Sequence, residues 1–159
     1  MSATRYEPKQ AFPPYAYLPG INVHPSHLGG YREGIAEPSV ESLSTERPLE
    51  NSSYRFALDL FNHEYFWESH VYFEALWNAH SRKGSLGDFF KSMIKLSAAG
   101  VKMKSGRTET SILHLKRAHE LLTLLAKKES DQFLGISLKS LLAHVDEAIL
   151  SPTKLFQIY

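Results

Sequence analysis

The chain contains no cysteine. Disulfides, thiolate metal sites and a thiol nucleophile are therefore excluded, and the composition fits a reducing compartment. Long apolar runs are missing too: nothing approaches the roughly 18 consecutive apolar residues of a membrane span. The opening MSATRYEPKQ has neither an apolar core nor a cleavage signature, so no secretory signal is expected. A charge excess is also absent, since 18 Lys and Arg face 17 Asp and Glu. A nucleic-acid reader would want a more basic domain or a recognisable module. These absences lead to the expectation of a cytoplasmic protein with no membrane and no nucleic-acid partner. At 159 residues it is long enough for one domain with a real core. A protein or small-molecule partner stays open, and a homo-oligomer is compatible with everything above.

What the chain does have is unevenly spread. Seven of its 8 prolines fall in the first fifty residues. Proline removes a backbone donor and pushes its predecessor toward extended geometry, so helix is not expected there. Yet that stretch carries Tyr6, Phe12, Tyr15, Tyr17, Leu18, Ile21, Val23 and Tyr31, more apolar material than a disordered tail holds. An extended Pro/Gly-rich arm over 1–51 is expected, packed on a bundle formed by 52–159. Its order should be firm through YAYLPGINVHP and looser from about Glu33 to Glu50.

From Ser52 onward the pattern turns helical and no β-alternation competes. The first helix is expected over about 53–80, capped by Ser52 or Ser53, and broken by SRKGSLGD. The second spans about 88–104 with Asp88 or Ser85 as cap. The third follows KSGR with Thr108 or Thr110 at its start. The fourth begins at Ser137 and stops at Ser151-Pro152. Apolar residues recur at three and four, as in Ile112, Leu115, Ala118, Leu122 and Leu125. The fold class is all-α: an antiparallel bundle of about four main helices joined by short loops.

Chemistry is suggested only by residues 61–77, FNHEYFWESHVYFEALW. On one helix Glu68 falls inside an apolar arc, where a bare carboxylate would cost several kcal/mol. It must be hydrogen-bonded, paired, neutralised or metal-bound. A tyrosine, a lysine of the second helix or an arm histidine are the available partners. Burial would raise its pKa, which suits a general acid or base. Either Glu68 anchors the arm or it is catalytic, with His70 beside it in sequence. His70 and Glu74 are four apart and share a face, as do Asp59 and His63. Two ligands are too few for a divalent metal ion, so His24 or His27 of VHPSH would have to join His70 and Glu74. His63 and His70, about 10 Å apart along the axis, are too distant to share one ion. Trp67, Trp77 and Phe73 read first as core.

Residues 82–128 hold eleven Lys and Arg against the three acids Asp88, Glu109 and Glu120. Lys91, Lys95 and Lys102 form one stripe, able to grip phosphate or carboxylate but read first as a solvated face.

The runs YFWESHVYFEALW and FFKSMIKLSAAGVKMKSGR, followed by LKRAHELL and FLGISL, resemble the domain-of-unknown-function family 309. Phe66, Trp67, Glu68, Ser69, His70, Glu74, Leu76 and Trp77 occupy its aromatic–Glu–small–His block. PPYAYLPGINVHP is similar to an arm found in one branch of that family. Val71 stands where an acid often follows the motif histidine, and Lys91 and Lys95 where glutamines are usual. The resemblance implies a helical bundle and no established activity, although the family is sometimes labelled a predicted metal-dependent hydrolase. LSAAGVKMKSGRTETSILHLKRAHELL is also similar to one tetratricopeptide-type hairpin. Two readings result: a binding or scaffold module whose polar Glu/His cluster anchors the arm, or a metal-dependent hydrolase with Glu68 as general base. A pocket between arm and bundle, lined by tyrosines and the second helix's lysines, is a third.

Overall fold

The computed structural model describes residues 4–159, so the first three residues of the expected arm lie outside it. Helix dominates, with α1 over Ser52–Asn62, α2 over Phe66–Ala79, α3 over Gly84–Lys104, α4 over Thr108–Lys128 and α5 over Leu138–Leu150. Each helix packs on the next, which makes a helical bundle. Its core gathers Tyr54, Phe61, Phe73, Phe89, Phe90, Met93, Leu96, Leu115 and Leu122, all removed from solvent.

The expected single helix over 53–80 is two helices. After Asn62 the chain passes through His63 and Glu64, the latter at a φ of 66°, and resumes helix at Phe66. The Tyr65 amide donates back to the Leu60 carbonyl (2.8 Å), closing α1 with a left-handed cap. The C-terminal tail holds this break in place. Asn62 accepts from the Ile158 amide (2.7 Å) and donates to its carbonyl (2.8 Å), while Ile158 and Leu155 are buried. No local sequence signal announces this, because helix periodicity continues through the break while the partner lies 96 residues away.

The caps also differ from expectation. Asn51, not Ser52 or Ser53, caps α1, its side chain accepting from the Tyr54 amide (2.9 Å). The second long helix begins at Gly84, not Asp88. Gly84 takes a φ of +67° and absorbs the turn, so GSLGD already forms helix. Neither Thr108 nor Thr110 caps α4, whose N-cap is Arg107. Ser137 does cap α5, accepting from the Ser140 amide (3.1 Å).

A two-stranded antiparallel hairpin, β1 (Gln132–Phe133) with β2 (Ile136–Ser137), was not expected from the sequence. Its turn residues Leu134 and Gly135 both have positive φ, the geometry a two-residue hairpin requires. The buried Tyr54 hydroxyl donates to the Leu134 carbonyl (2.9 Å), tying this loop to α1.

Gly100 on α3 permits a close approach of α2. A Cβ there would sit 2.3 Å from Cγ of Phe66. The first turn of α2 therefore lies directly on the small-residue face of α3, where the Ser69 and Ser97 hydroxyls also meet (2.7 Å).

Candidate functional site between the arm and the helices

Two buried carboxylates hold the arm, one from α1 and one from α2. Asp59 is fully buried within the apolar run ALDLF. It accepts from the main-chain amides of Tyr6 (2.6 Å) and Glu7 (2.8 Å), and from Nε of Arg5 (3.2 Å). The Arg5 guanidinium also donates to the carbonyl of Glu7 (2.8 Å) and lies 4.0 Å over the Phe12 ring. Glu7 in turn pairs with Arg55 of α1. The first carboxylate therefore receives both hydrogen bonds and a cation from the arm.

Glu68 on α2 is only 3% exposed and is treated differently. Its Oε1 accepts from the Tyr17 amide (2.8 Å) and the Tyr31 hydroxyl (2.9 Å). Its Oε2, equally buried, has no hydrogen-bond partner among the described residues. Burial pushes the Glu68 carboxyl above its ordinary pKa, opposed by the Tyr17 amide, its own amide and the Tyr31 hydroxyl. The Tyr31 phenol is pushed up as well, first by burial and then by the facing carboxylate. Of the partners expected for Glu68, a tyrosine is the one present, joined by an arm amide.

A cavity of about 270 Å³ opens beside this carboxyl, between the arm and α1/α2. Phe56, Leu60, Trp67, Val71 and Tyr72 form its helical wall, with Glu68 among them. Phe12, Pro13, Tyr31, Arg32 and Ile35 close it from the arm. Arg32 points its charge elsewhere, to the Glu37 carboxylate (3.3 Å) and the Ala36 carbonyl (2.9 Å).

The remaining expected site residues scatter. His24 packs edge-on to Trp67 (5.2 Å) and Tyr17 (4.9 Å) and stacks on His27 (4.3 Å). Burial and then His27 hold its pKa down. His70 lies near Glu74, Nδ1 to Oε2 at 4.0 Å, with its pKa lowered by burial and by Lys95. Among the described residues, no three His, Asp or Glu side chains converge where a metal ion could be held. The expected set of His24, His70 and Glu74 is therefore not assembled. The reason is angular: positions 68 and 70 leave α2 in nearly opposite directions, so the arm that covers Glu68 does not reach His70.

His63 falls in the α1–α2 break, its ring against Phe12 (4.9 Å) and its buried Nε2 without a partner among the described residues. Trp67 lines the cavity, whereas Trp77 near the end of α2 lies under the Arg82 guanidinium (4.7 Å). Lys91 and Lys95 are half-buried on α3 and contribute nothing to the cavity wall. The pocket lined by the lysines of the second helix, as read from sequence, is thus corrected to one lined by α1, α2 and the arm. The arm also stays attached beyond Glu33: Leu43 is buried and its amide donates to Nε2 of His80 (3.2 Å).

The helical wall of the cavity and the buried carboxylate pair all fall within one stretch of the chain. Residues 54–113 match the domain of unknown function DUF309. The resemblance read from YFWESHVYFEALW is thereby shown for this stretch, which spans α2, α3, most of α1 and the start of α4. The arm that supplies the other half of the cavity lies outside it. No curated protein and no solved structure matches the chain.

Sequence reasoning named Glu68 and Trp67 as site residues and paired Asp59 with His63, but did not single out Asp59, Tyr31 or Tyr72 for the site. Asp59 carried a readable signal, the same one as Glu68: a carboxylate inside an apolar run. Tyr31 carried none, because its role depends on how the arm folds back.

Proposed function

We propose that the protein is a ligand-binding module in which residues 1–51 act as a covering arm and residues 52–159 as the bundle it covers. The observation that carries this is the arm–helix cavity of about 270 Å³, walled in part by the buried Glu68. Oε2 of that carboxyl is covered and has no hydrogen-bond partner among the described residues, a buried polar atom that is costly to maintain. The cavity is mostly apolar with a few convergent polar groups, as small-molecule sites are. Its size lies just under the roughly 300–1,000 Å³ of sites for drug-sized ligands. A small guest is implied.

The hydrolase alternative retains one supporting observation, the desolvated carboxyl of Glu68 facing the cavity. It lacks a metal-ligand set among the described residues, so no step is assigned to an ion. No helix among the described residues is long and apolar enough to cross a membrane.

A fragment screen by protein-observed NMR tests the reading. Guests should shift the Trp67 indole and the Val71 and Tyr72 resonances together. Val71→Trp, which fills the cavity without touching the Glu68 hydrogen bonds, should abolish the shifts. A screen with no fragment acting on these three residues would refute the pocket.

A further inference from the structure

The basic stripe of α3 is left without countercharge by the fold. Lys91, Lys95 and Lys102 share one face of the helix at spacings of four and seven, with the small Ala98 between the last two. All three lysines are half-buried, although lysine normally carries its charge into open water. Two other lysines of this region do find carboxylates, Lys104 with Glu64 (2.8 Å) and Lys128 with Asp88 (3.8 Å). Among the described residues, no carboxylate forms an ion pair with Lys91, Lys95 or Lys102.

Histidines flank the stripe from both neighbouring helices. α3 packs against α2 and α4, which bring His70 and His114. Burial lowers the pKa of His114 first, then Lys95, Lys102 and His70 lower it further, with no carboxylate opposing them. His70 is lowered by burial, with Glu74 opposing and Lys95 adding to the effect. Glu74 lies 4.0 Å from His70 and its side chain is 47% exposed. With both imidazoles neutral near physiological pH, three lysines face this one carboxylate, and the patch keeps an excess of two positive charges. The lysines, Ala98, His70 and His114 all keep part of their surface in solvent, so an anion reaches this face without the fold opening.

The residue types select the guest. Lysine is a compact charge with three donors, suited to the tetrahedral oxygens of a phosphate. The planar fork that grips a carboxylate belongs to arginine, and the stripe has none. Neutral imidazoles add N–H donors without adding charge. Lys95 and Lys102 are separated by about 10 Å of helix rise, which two flexible four-carbon stems can close from either end over the Ala98 methyl. A nucleic acid or an anionic membrane would want a broader basic surface than three lysines.

We propose that this α2–α3–α4 face binds the phosphate of a small phosphomonoester, Lys95 and Lys102 closing on it over Ala98, His70 and His114 donating N–H groups from its two sides, and Lys91 adding charge from one turn away. This is a second site on residues separate from the arm–helix cavity, and it does not rest on the pocket reading.

The test titrates the full chain at constant ionic strength with phenyl phosphate and with phthalate, a dicarboxylate of the same charge, followed by protein-observed NMR. Phenyl phosphate should give saturating shifts at the Ala98 amide and the His114 ring, and bind at least about fivefold more tightly than phthalate. Lys95→Gln and Lys102→Gln should each weaken it about tenfold, while Lys116→Gln, an exposed lysine of α4, should leave it unchanged. Equal affinities for the two anions would overturn the phosphate assignment. Shifts that never saturate and spread over all exposed lysines would show a solvated face and overturn the site. Tighter binding of oligothymidylate or of phosphatidic-acid vesicles than of phenyl phosphate would overturn the small-molecule assignment. The wild-type ranking and Lys102→Gln decide the question even if Lys95→Gln folds poorly.

Discussion

Asp59→Asn is the most direct probe of how firmly the arm is held. Oδ1 accepts the Tyr6 amide at 2.6 Å, and Oδ2 accepts the Glu7 amide at 2.8 Å and Arg5 Nε at 3.2 Å. An asparagine amide fits the same space but must place its NH₂ where one of these oxygens stood. Whichever way it is turned, at least one backbone donor then faces another donor, and the charge that pairs Arg5 is gone. Hydrogen bonds to a charged group contribute about 1.5–3 kcal/mol each. Losing one outright and weakening the others gives a first figure of about 3–6 kcal/mol. Two effects lower it. Arg5 is 20% exposed and partly recovers its solvation in water. The segment Arg5–Glu7 can also peel away and hydrate its own amides. A loss of about 2–4 kcal/mol is expected, within the 5–15 kcal/mol that a domain has available. At about 2–4 °C per kcal/mol this lowers Tm by roughly 4–16 °C. Urea denaturation measures the loss, and amide hydrogen exchange locates it: Tyr6 and Glu7 should lose protection while α3 and α4 keep theirs. A loss below about 0.5 kcal/mol with those two amides still protected would refute the assignment of Asp59 as the arm's anchor.

Four further outcomes follow from the geometry. Tyr31→Phe removes one of the two donors to Glu68 Oε1 and should cost about 1–3 kcal/mol, read by urea denaturation, without altering exchange at Tyr6. Glu68 has a raised pKa, so the folded state binds its proton more tightly than the unfolded chain does. Its contribution is then full at low pH and declines as pH rises from about 4.3 through the raised folded value; Glu68→Gln should gain on wild type over that window in stability measured from pH 4 to 8. His70, His80 and His114 have lowered values caused first by burial, so their combined contribution is present above about pH 6.5 and is lost as pH falls below it; His70→Gln should reduce that acid loss in the same titration. Gly100→Ala gains about 1 kcal/mol of helix propensity but drives a methyl into the Phe66 ring, and overpacking of about 1–3 kcal/mol should leave the variant less stable by thermal melting, with wild-type stability or better counting against the close α2–α3 contact.

The helices were legible where their cause was local and periodic. Spacing at three and four along α3, α4 and α5 locates those helices, and Ser137 is a cap because its hydroxyl meets an amide three residues on. The α1–α2 break was not legible, since it is held by Asn62 gripping a tail at Ile158. The β1–β2 hairpin escaped for a different reason: two strands of two residues each are too short to show a period. At the site, the apolar run around Glu68 showed that its carboxylate would be buried and in need of partners. It could not show which partners would come, nor that His24, His70 and Glu74 would stay apart.

Composition and periodicity by themselves determined that this chain forms a helical bundle, that its arm is not α-helical, and that the Glu68 carboxylate is buried. These follow from backbone sterics and from which side chains shun water, properties that each residue carries wherever it is placed. The tertiary structure alone decided that the arm's Arg5 reaches Asp59 while, among the described residues, no cation pairs with Glu68, and that a cavity lies beside the second carboxylate's residue. Those outcomes depend on contacts between residues some fifty positions apart in the chain. Only the folded path of the arm brings such residues together, and hydrogen-bonding and charge pairing act only at contact range.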